Sequence, residues 1–108
     1  MSIERRTEPR LPARLAITVS VGGRSVLAYS QNLSGSGAFL SCDQPIDHHD
    51  TLELRFSVPT DPTPIAVTAE VRWLAKDADG TLTGVGVRLG AMRPREMRAW
   101  TRFLRTLK

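Results

Sequence analysis

The chain has 108 residues, 41% of them hydrophobic and 24% charged, which is typical of one globular domain and excludes a disordered chain. It has no apolar run of the roughly 20 residues that a membrane helix needs, no signal-peptide pattern, and one cysteine, which cannot form an internal disulfide. We therefore expect a reduced, cytoplasmic setting with no membrane association. The net charge is +4, and thirteen of the fifteen basic residues are arginine, although a genome rich in G and C also favours arginine.

The first stretch of the chain, residues 1–14, is charged and contains two prolines. Pro9 and Pro12 disfavour helix at the residues before them. We therefore predict an extended arm that is flexible until something binds it. The arm carries the arginines Arg5, Arg6, Arg10 and Arg14.

Residues 15–89 contain short runs in which apolar and polar side chains alternate, the pattern of half-buried strands. Gly22-Gly23 predicts a hairpin, whereas three prolines predict a turn or loop over residues 59–64. The six predicted strands are residues 15–21, 25–33, 38–42, 51–58, 65–75 and 81–89.

The tail of the chain has a helical pattern instead. Pro94 suits the first position of a helix, and the apolar residues after it have the spacing of one amphipathic face. That face consists of Met97, Trp100, Leu104 and Leu107. We therefore predict an all-β domain over residues 15–108 with one C-terminal helix, residues 94–107. The six strands would form an antiparallel barrel or a strongly curled sheet that the helix closes.

The segment between the second and third predicted strands is distinctive: Asn32-Leu-Ser34-Gly-Ser-Gly37. Glycine permits positive φ and the close approach of another group, and Asn and Ser bond either to local backbone or to a ligand. Alone, this pattern is usually an ordinary turn. The arm, however, also carries Arg6-Thr-Glu-Pro-Arg10, with 21 residues between Arg10 and Asn32.

Together, the arginine pair and the turn resemble the motif of the PilZ domain, the family of bacterial receptors for the second messenger cyclic diguanylate (c-di-GMP). That motif is Arg-x-x-x-Arg in an N-terminal arm, followed by Asp/Asn-x-Ser-x-x-Gly. The segment from Gly84 to Leu89 also resembles a late strand of the family. Arg10 and Arg14 form a competing pair, but only 17 residues separate Arg14 from Asn32, so we prefer Arg6 and Arg10. The resemblance implies a PilZ-type six-stranded barrel capped by one helix.

The resemblance also implies a binding site for c-di-GMP, which has two guanines and two phosphodiesters. Arginine binds a guanine edge through two hydrogen bonds and pairs with phosphate. We expect Arg6 and Arg10 to contact guanine edges and phosphates, with Arg5 assisting them. Asn32 and Ser34 would bond to a guanine, and Gly37 would leave room for the ligand. Trp73 is a candidate for stacking its ring on a guanine. Because Trp73 falls on the apolar face of its predicted strand, core packing is the favoured interpretation there. A third arginine favours an intercalated ligand pair over a single molecule.

Catalysis has no support in the sequence, since no nucleophile has an evident base partner and no phosphate-binding loop of the Walker type is present. His48-His49 lacks companion ligands, so we expect no metal, and no cofactor besides the c-di-GMP ligand. We expect a non-enzymatic receptor whose arm becomes ordered on ligand binding and so signals to a protein partner.

Two alternatives remain open. A degenerate PilZ domain could bind a protein partner without nucleotide. A small barrel could bind single-stranded nucleic acid, but this requires exposed aromatic platforms, and patterning places most aromatic residues inside. We therefore expect no DNA or RNA partner.

Overall fold

A computed structural model describes residues 10–42, 44–47 and 50–107. Arg5, Arg6 and His48-His49 therefore lie outside the described residues. The described part folds into seven strands and one helix: β1 (Leu11–Pro12), β2 (Ala16–Val21), β3 (Arg24–Leu33), β4 (Gly37–Ser41), β5 (Thr51–Val58), β6 (Asp61–Lys76), β7 (Leu82–Leu89) and α1 (Pro94–Thr106).

Six of these strands close into a barrel in the order β3-β2-β5-β6-β7-β4, and β4 pairs back onto β3. Each pairing is antiparallel. The short β1 lies outside the barrel and pairs with the end of β3, opposite Asn32 and Leu33. The predicted six-stranded antiparallel barrel with a C-terminal helix is therefore confirmed.

The barrel interior follows from the alternation in the sequence. In β5 every second side chain is buried, from Leu52 through Leu54 and Phe56 to Val58. Burial of such side chains is the main favourable contribution to folding. Cys42 is buried as a free thiol in the same core.

α1 closes the barrel with a face that overlaps the predicted one but is rotated from it: Trp100 is buried, and Leu104 and Leu107 pack partly buried against the core. Its buried residues are Ala99, Trp100 and Phe103, whereas Met97 is 41% exposed. The Trp100 ring meets Phe56 edge-on at 5.6 Å between ring centroids. Ala99 and Phe103 lie on one side of Trp100 around the helix and Met97 lies on the other, so the docked face is rotated toward Ala99 and Phe103. The small side chain of Ala99 lets the helix approach the barrel closely. A rule based on the spacing of large apolar residues does not predict this.

β6 begins earlier in the chain than we predicted from the three prolines. Only residues 59–60 form the turn, and Pro62 and Pro64 lie within the strand. Before Ala69, where its pairing with β7 begins, β6 pairs with β5 alone. Two residues beyond Pro64, the Ala66 N–H donates to Glu96 of α1 at 3.0 Å, so this backbone edge faces away from β5. A missing N–H on such an edge costs no ladder bond.

The helix start is fixed by the same carboxylate. Glu96 Oε1 accepts from the Arg93 N–H at 3.1 Å, as expected for an acidic residue in the first helical turn. The backbone N–H groups of Ala66 and Arg93 together hold the pKa of Glu96 below its ordinary value. The helix is therefore tied to the open edge of β6.

Within the described ranges, no helix is long and apolar enough to cross a membrane.

Candidate functional site

The turn between β3 and β4 is closed by its own serine. The Ser34 N–H donates to the Gly37 carbonyl at 2.9 Å, and Ser34 Oγ accepts from the Gly37 N–H at 3.1 Å. Ser34 is only 6% exposed. In this form its hydroxyl secures the turn, and a bond from Ser34 to a ligand stays a prediction.

Two neighbouring elements hold the turn from the barrel side. The Leu89 N–H of β7 donates to the Ser36 carbonyl at 2.8 Å, and Trp100 Nε1 of α1 donates to the Gly35 carbonyl at 3.3 Å. These bonds connect the turn to the end of β7 and to the capping helix, so its position depends on both elements.

Gly37 is required for close packing rather than for an unusual backbone conformation. Positive φ occurs in the described ranges at Gly22, Gly23 and Gly80, not at Gly37. A Cβ at Gly37 would lie 2.9 Å from the Val87 carbonyl oxygen of β7. The absent side chain therefore lets β4 and β7 approach, and its effect on ligand access stays a prediction.

The end of the arm lies directly beside this turn. Arg10 Nη1 donates to Asn32 Oδ1 at 2.8 Å. The arm is fixed just after this point by the buried Ser30, whose Oγ accepts from the Leu15 N–H at 2.8 Å and donates to the Ala13 carbonyl at 2.6 Å. The two halves of the sequence motif therefore meet at Arg10 and Asn32.

Arg14 is directed elsewhere. Its guanidinium lies over the Tyr29 ring, 4.1 Å from the centroid, as in a cation–π contact. Among the described residues around the turn, Arg10 lines the adjacent pocket and Arg14 does not.

The predicted core packing of Trp73 is wrong, because its side chain is 46% exposed. In β6, Val71 pairs with Val87, but Trp73 pairs with Gly86, so Arg72 is an extra residue in the ladder. A β-bulge of this kind interrupts the alternation of faces. The bulge places Trp73 outside the barrel, although the alternation of apolar residues in the strand predicts that it faces inward.

Outside the barrel, the Trp73 ring stacks on Phe39 of β4, and the two rings form an aromatic surface. The two ring centroids are 5.0 Å apart and their planes differ by 18°. Gly84 and Gly86 lie beneath the rings: a Cβ at Gly86 would collide with the Trp73 indole, and one at Gly84 with the Phe39 ring. The spacing of these two glycines on one face of β7 was the sequence signal that could have predicted rings on the outer surface.

A pocket of about 210 Å³ lies between the turn and this aromatic surface. Its lining includes Arg10 from the arm, Ser34 from the turn and Trp73 from β6. Sequence reasoning missed two further basic residues that line it, Arg72 and Arg88. The position of Arg88, outward-facing and two residues after Gly86, could have indicated one of them.

The pocket therefore combines three guanidinium groups with an exposed indole. Guanidinium groups pair with phosphates through charge-assisted bonds, and an indole offers a face on which a planar base can stack. The described residues contain no cluster of His, Cys, Asp and Glu that could hold a metal ion. This chemistry suits an anionic ligand with a planar ring.

Comparisons with known proteins agree with this architecture. The PilZ domain of YcgR from Escherichia coli, solved with c-di-GMP, superposes with a TM-score of 0.73 and 15% identity, over 96% of this chain and 92% of that chain. The inhibitor of motility MotI/DgrA from Bacillus subtilis gives 0.77 and 17%, over 96% of this chain. This chain spans only 51% of that protein. Both likenesses show the fold.

The PilZ domain of CeSA from a cellulose-synthesizing bacterium superposes with a TM-score of 0.64 and 16% identity, over 92% of this chain and 97% of that chain. A search of the curated proteins gave no match. The family model described as PilZ domain matches residues 4–106, which includes the arm, the turn, the barrel and the helix. The chain therefore belongs to the PilZ domain family.

Proposed function

We propose that this protein is a non-enzymatic receptor for c-di-GMP. The observation that carries the proposal is the 2.8 Å bond between Arg10 and Asn32, which brings the arm to the turn beside an exposed indole and two further arginines. Membership of the PilZ domain family supports it, as does the E. coli neighbour, whose structure contains c-di-GMP.

The proposed contacts follow from the chemistry of the ligand. Arg10 binds a guanine edge or a phosphate, for which a guanidinium fork is suited. Asn32 orients Arg10 and offers its amide group to a guanine, while Trp73 stacks on a base. Arg6 and Arg5 of the arm complete the cationic side of the site. Ser34 and Gly37 keep the turn in the shape that these contacts need.

Signalling then consists of a change in the arm and in whatever contacts it. The ligand favours the conformation in which the arm closes over it, because that conformation alone offers all the arginines. A protein partner reads the new surface. Trp100, bonded to the Gly35 carbonyl, provides a second connection, from the turn to the helix.

Calorimetric titration of the full chain with c-di-GMP tests the proposal. We expect binding by the wild type and at least a tenfold loss for Arg10→Ala, since a charge-assisted bond to the ligand is removed. Arg55→Ala is the matched control, because Arg55 is an exposed arginine on β5, distant from the turn in the sheet order.

Two results would count against the receptor function. One is no heat of binding from the wild type at tens of micromolar protein. The other is equal affinity in Arg10→Ala and the wild type. A single-stranded oligonucleotide serves as a competitor: if it displaces c-di-GMP at comparable concentration, nucleic-acid binding becomes the better explanation of the exposed ring.

A further inference from the structure

Three neighbouring strands place a glycine, an arginine and a glutamate in one row on the outside of the barrel. Arg88 of β7 pairs with Gly37 of β4 on one side and with Glu70 of β6 on the other. Adjacent strands are about 4.8 Å apart, so this row spans about 10 Å from the motif turn to Glu70. Arg88 therefore lies between the turn and an acidic side chain.

Arg72 belongs to the same group because residues two apart in a strand face the same side. Its Nη1 lies 3.3 Å from Glu70 Oε1, and the two side chains are 56% and 61% exposed. Within the described ranges, no carboxylate pairs with Arg88. Arg88 lines the pocket beside the turn and also a second cleft of about 290 Å³, whose lining includes Glu70. One carboxylate thus adjoins both arginines of the barrel wall.

We propose that Arg72 and Arg88 form a phosphate-binding subsite on the barrel wall, in the pocket that Arg10 also lines, and that Glu70 is a built-in competitor that sets its affinity. The inference rests on the proposed function, because the anion it assigns is a phosphodiester of c-di-GMP. Arg72 and Arg88 line the same pocket as Trp73, and the register of β6 with β7 puts both on the Glu70 side of that ring, so a base stacked on the indole would bring its phosphate within their reach.

Glu70 acts on the subsite in two ways. Its carboxylate occupies the Arg72 guanidinium that the phosphate needs, and its negative charge repels the phosphate. Because the pair is exposed, it is weak and easily exchanged. It can therefore lower affinity without blocking binding. Both effects are electrostatic between exposed groups, so both decrease at high salt.

The test is a set of c-di-GMP titrations at low and high salt. At low salt, Glu70→Gln should tighten binding about threefold, as expected for loss of one exposed charge interaction. Arg72→Gln and Arg88→Gln should each weaken it about tenfold, as expected for a lost charge-assisted bond. All of these changes should shrink at high salt. Glu53→Gln is the matched control, since Glu53 pairs with Arg55 two residues away, on β5, and it should leave affinity unchanged.

The double variant Glu70→Gln with Arg72→Gln shows whether the two side chains act together. If Glu70 acts mainly by occupying Arg72, its removal should tighten binding less in the Arg72→Gln background than in the wild type. Thermal unfolding of each variant confirms that the barrel is intact.

The possible failures are distinguishable. Binding that depends on Arg10 but is unchanged by both arginine variants overturns the subsite and leaves the receptor function standing. Unchanged or weaker binding in Glu70→Gln overturns the competitor alone. Absence of c-di-GMP binding by the wild type overturns both proposals.

Discussion

Two strands of the barrel carry the same kind of ion pair and yet do different things. In β5, Glu53 and Arg55 face solvent while the side chains between and around them are buried in strict alternation. In β6, Glu70 and Arg72 also form a pair two residues apart, but a bulge at Arg72 follows and exposes Trp73. Regular alternation builds a wall of the core, whereas its interruption presents a ring and a cation to the same pocket.

The comparison predicts that a substitution in the core of the regular strand lowers the stability of the protein. Leu54 of β5 is fully buried, so Leu54→Ala should cost about 2–5 kcal/mol of unfolding free energy through lost transfer energy and a residual cavity. Urea denaturation measures this. The neighbouring Arg55→Ala should change stability by about 0.5 kcal/mol or less, since it alters an exposed side chain. A loss below about 1 kcal/mol in Leu54→Ala would contradict the assignment of this strand to the core.

Damage to the interrupted strand should instead remove binding. Trp73→Ala should weaken c-di-GMP binding about tenfold or more, because base–aromatic stacking contributes about 1–3 kcal/mol per base. Its stability cost should be about 1–3 kcal/mol, because the half-buried indole loses apolar burial as well as its stack on Phe39. Titration and urea denaturation of the same samples measure both quantities.

Leu27→Ala is the control for this variant, since Leu27 is an exposed apolar residue on β3 that does not line the described pocket. It should leave affinity unchanged. Were Trp73→Ala to cost as much stability as Leu54→Ala and leave binding intact, the ring would be a packing element and the distinction between the two strands would fail.

The sequence predicted the regular features well and the interruptions poorly. Alternation was sufficient to place Leu52, Leu54 and Phe56 inside, and the turn at Asn32 and the helix start at Pro94 were found from residue type. Trp73 was misplaced because a bulge depends on the pairing register of β6 with β7. The apolar alternation within a single strand carries no information about that register. Pro62 was misassigned to a turn for a similar reason: only the sheet shows which edge lacks a partner.

One hydrogen bond connects the helix directly to the motif turn, and a substitution at Trp100 removes it. Trp100→Phe keeps an aromatic ring against Phe56 but removes the indole N–H that donates to the Gly35 carbonyl. Stability should fall by about 2–3 kcal/mol, because the hydrogen bond is lost and the smaller ring leaves a cavity at a buried site. Amide NMR signals of residues 34–37 should shift more than those of β5.

The control is Met97→Leu, an exposed substitution of similar size on the same helix that should move neither readout. Turn signals that stay in place in Trp100→Phe would show that β7 alone fixes the turn, through the Leu89 N–H, and the proposed connection to the helix would be lost.

The smallest expected effect lies in the first turn of the helix and depends on pH. The backbone N–H groups of Ala66 and Arg93 lower the pKa of Glu96 from its ordinary value of 4.5. The ionised form therefore stabilises the fold, fully at pH values above the unfolded-state pKa, and this stabilisation is lost as the pH falls through the folded-state pKa. Glu96→Gln should cost about 0.5 kcal/mol at pH 7, the size of an exposed charge near a helix N-terminus, and the difference from wild type should shrink below pH 4.5.

Urea denaturation at pH 7, 5, 4 and 3 measures this difference. The bonds of Asp61 with Thr63 also lower the pKa of that carboxyl, but Asp61 is present in both proteins, so its contribution cancels when they are compared. A difference that stays constant from pH 7 to 3 would mean that the Glu96 charge contributes nothing and that the amide of the variant simply bonds less well to the β6 edge. Hydrogen-bond geometry, and not charge, would then anchor the helix to β6, just as shape determines how Leu54 packs. The charges with a function would be those around the pocket.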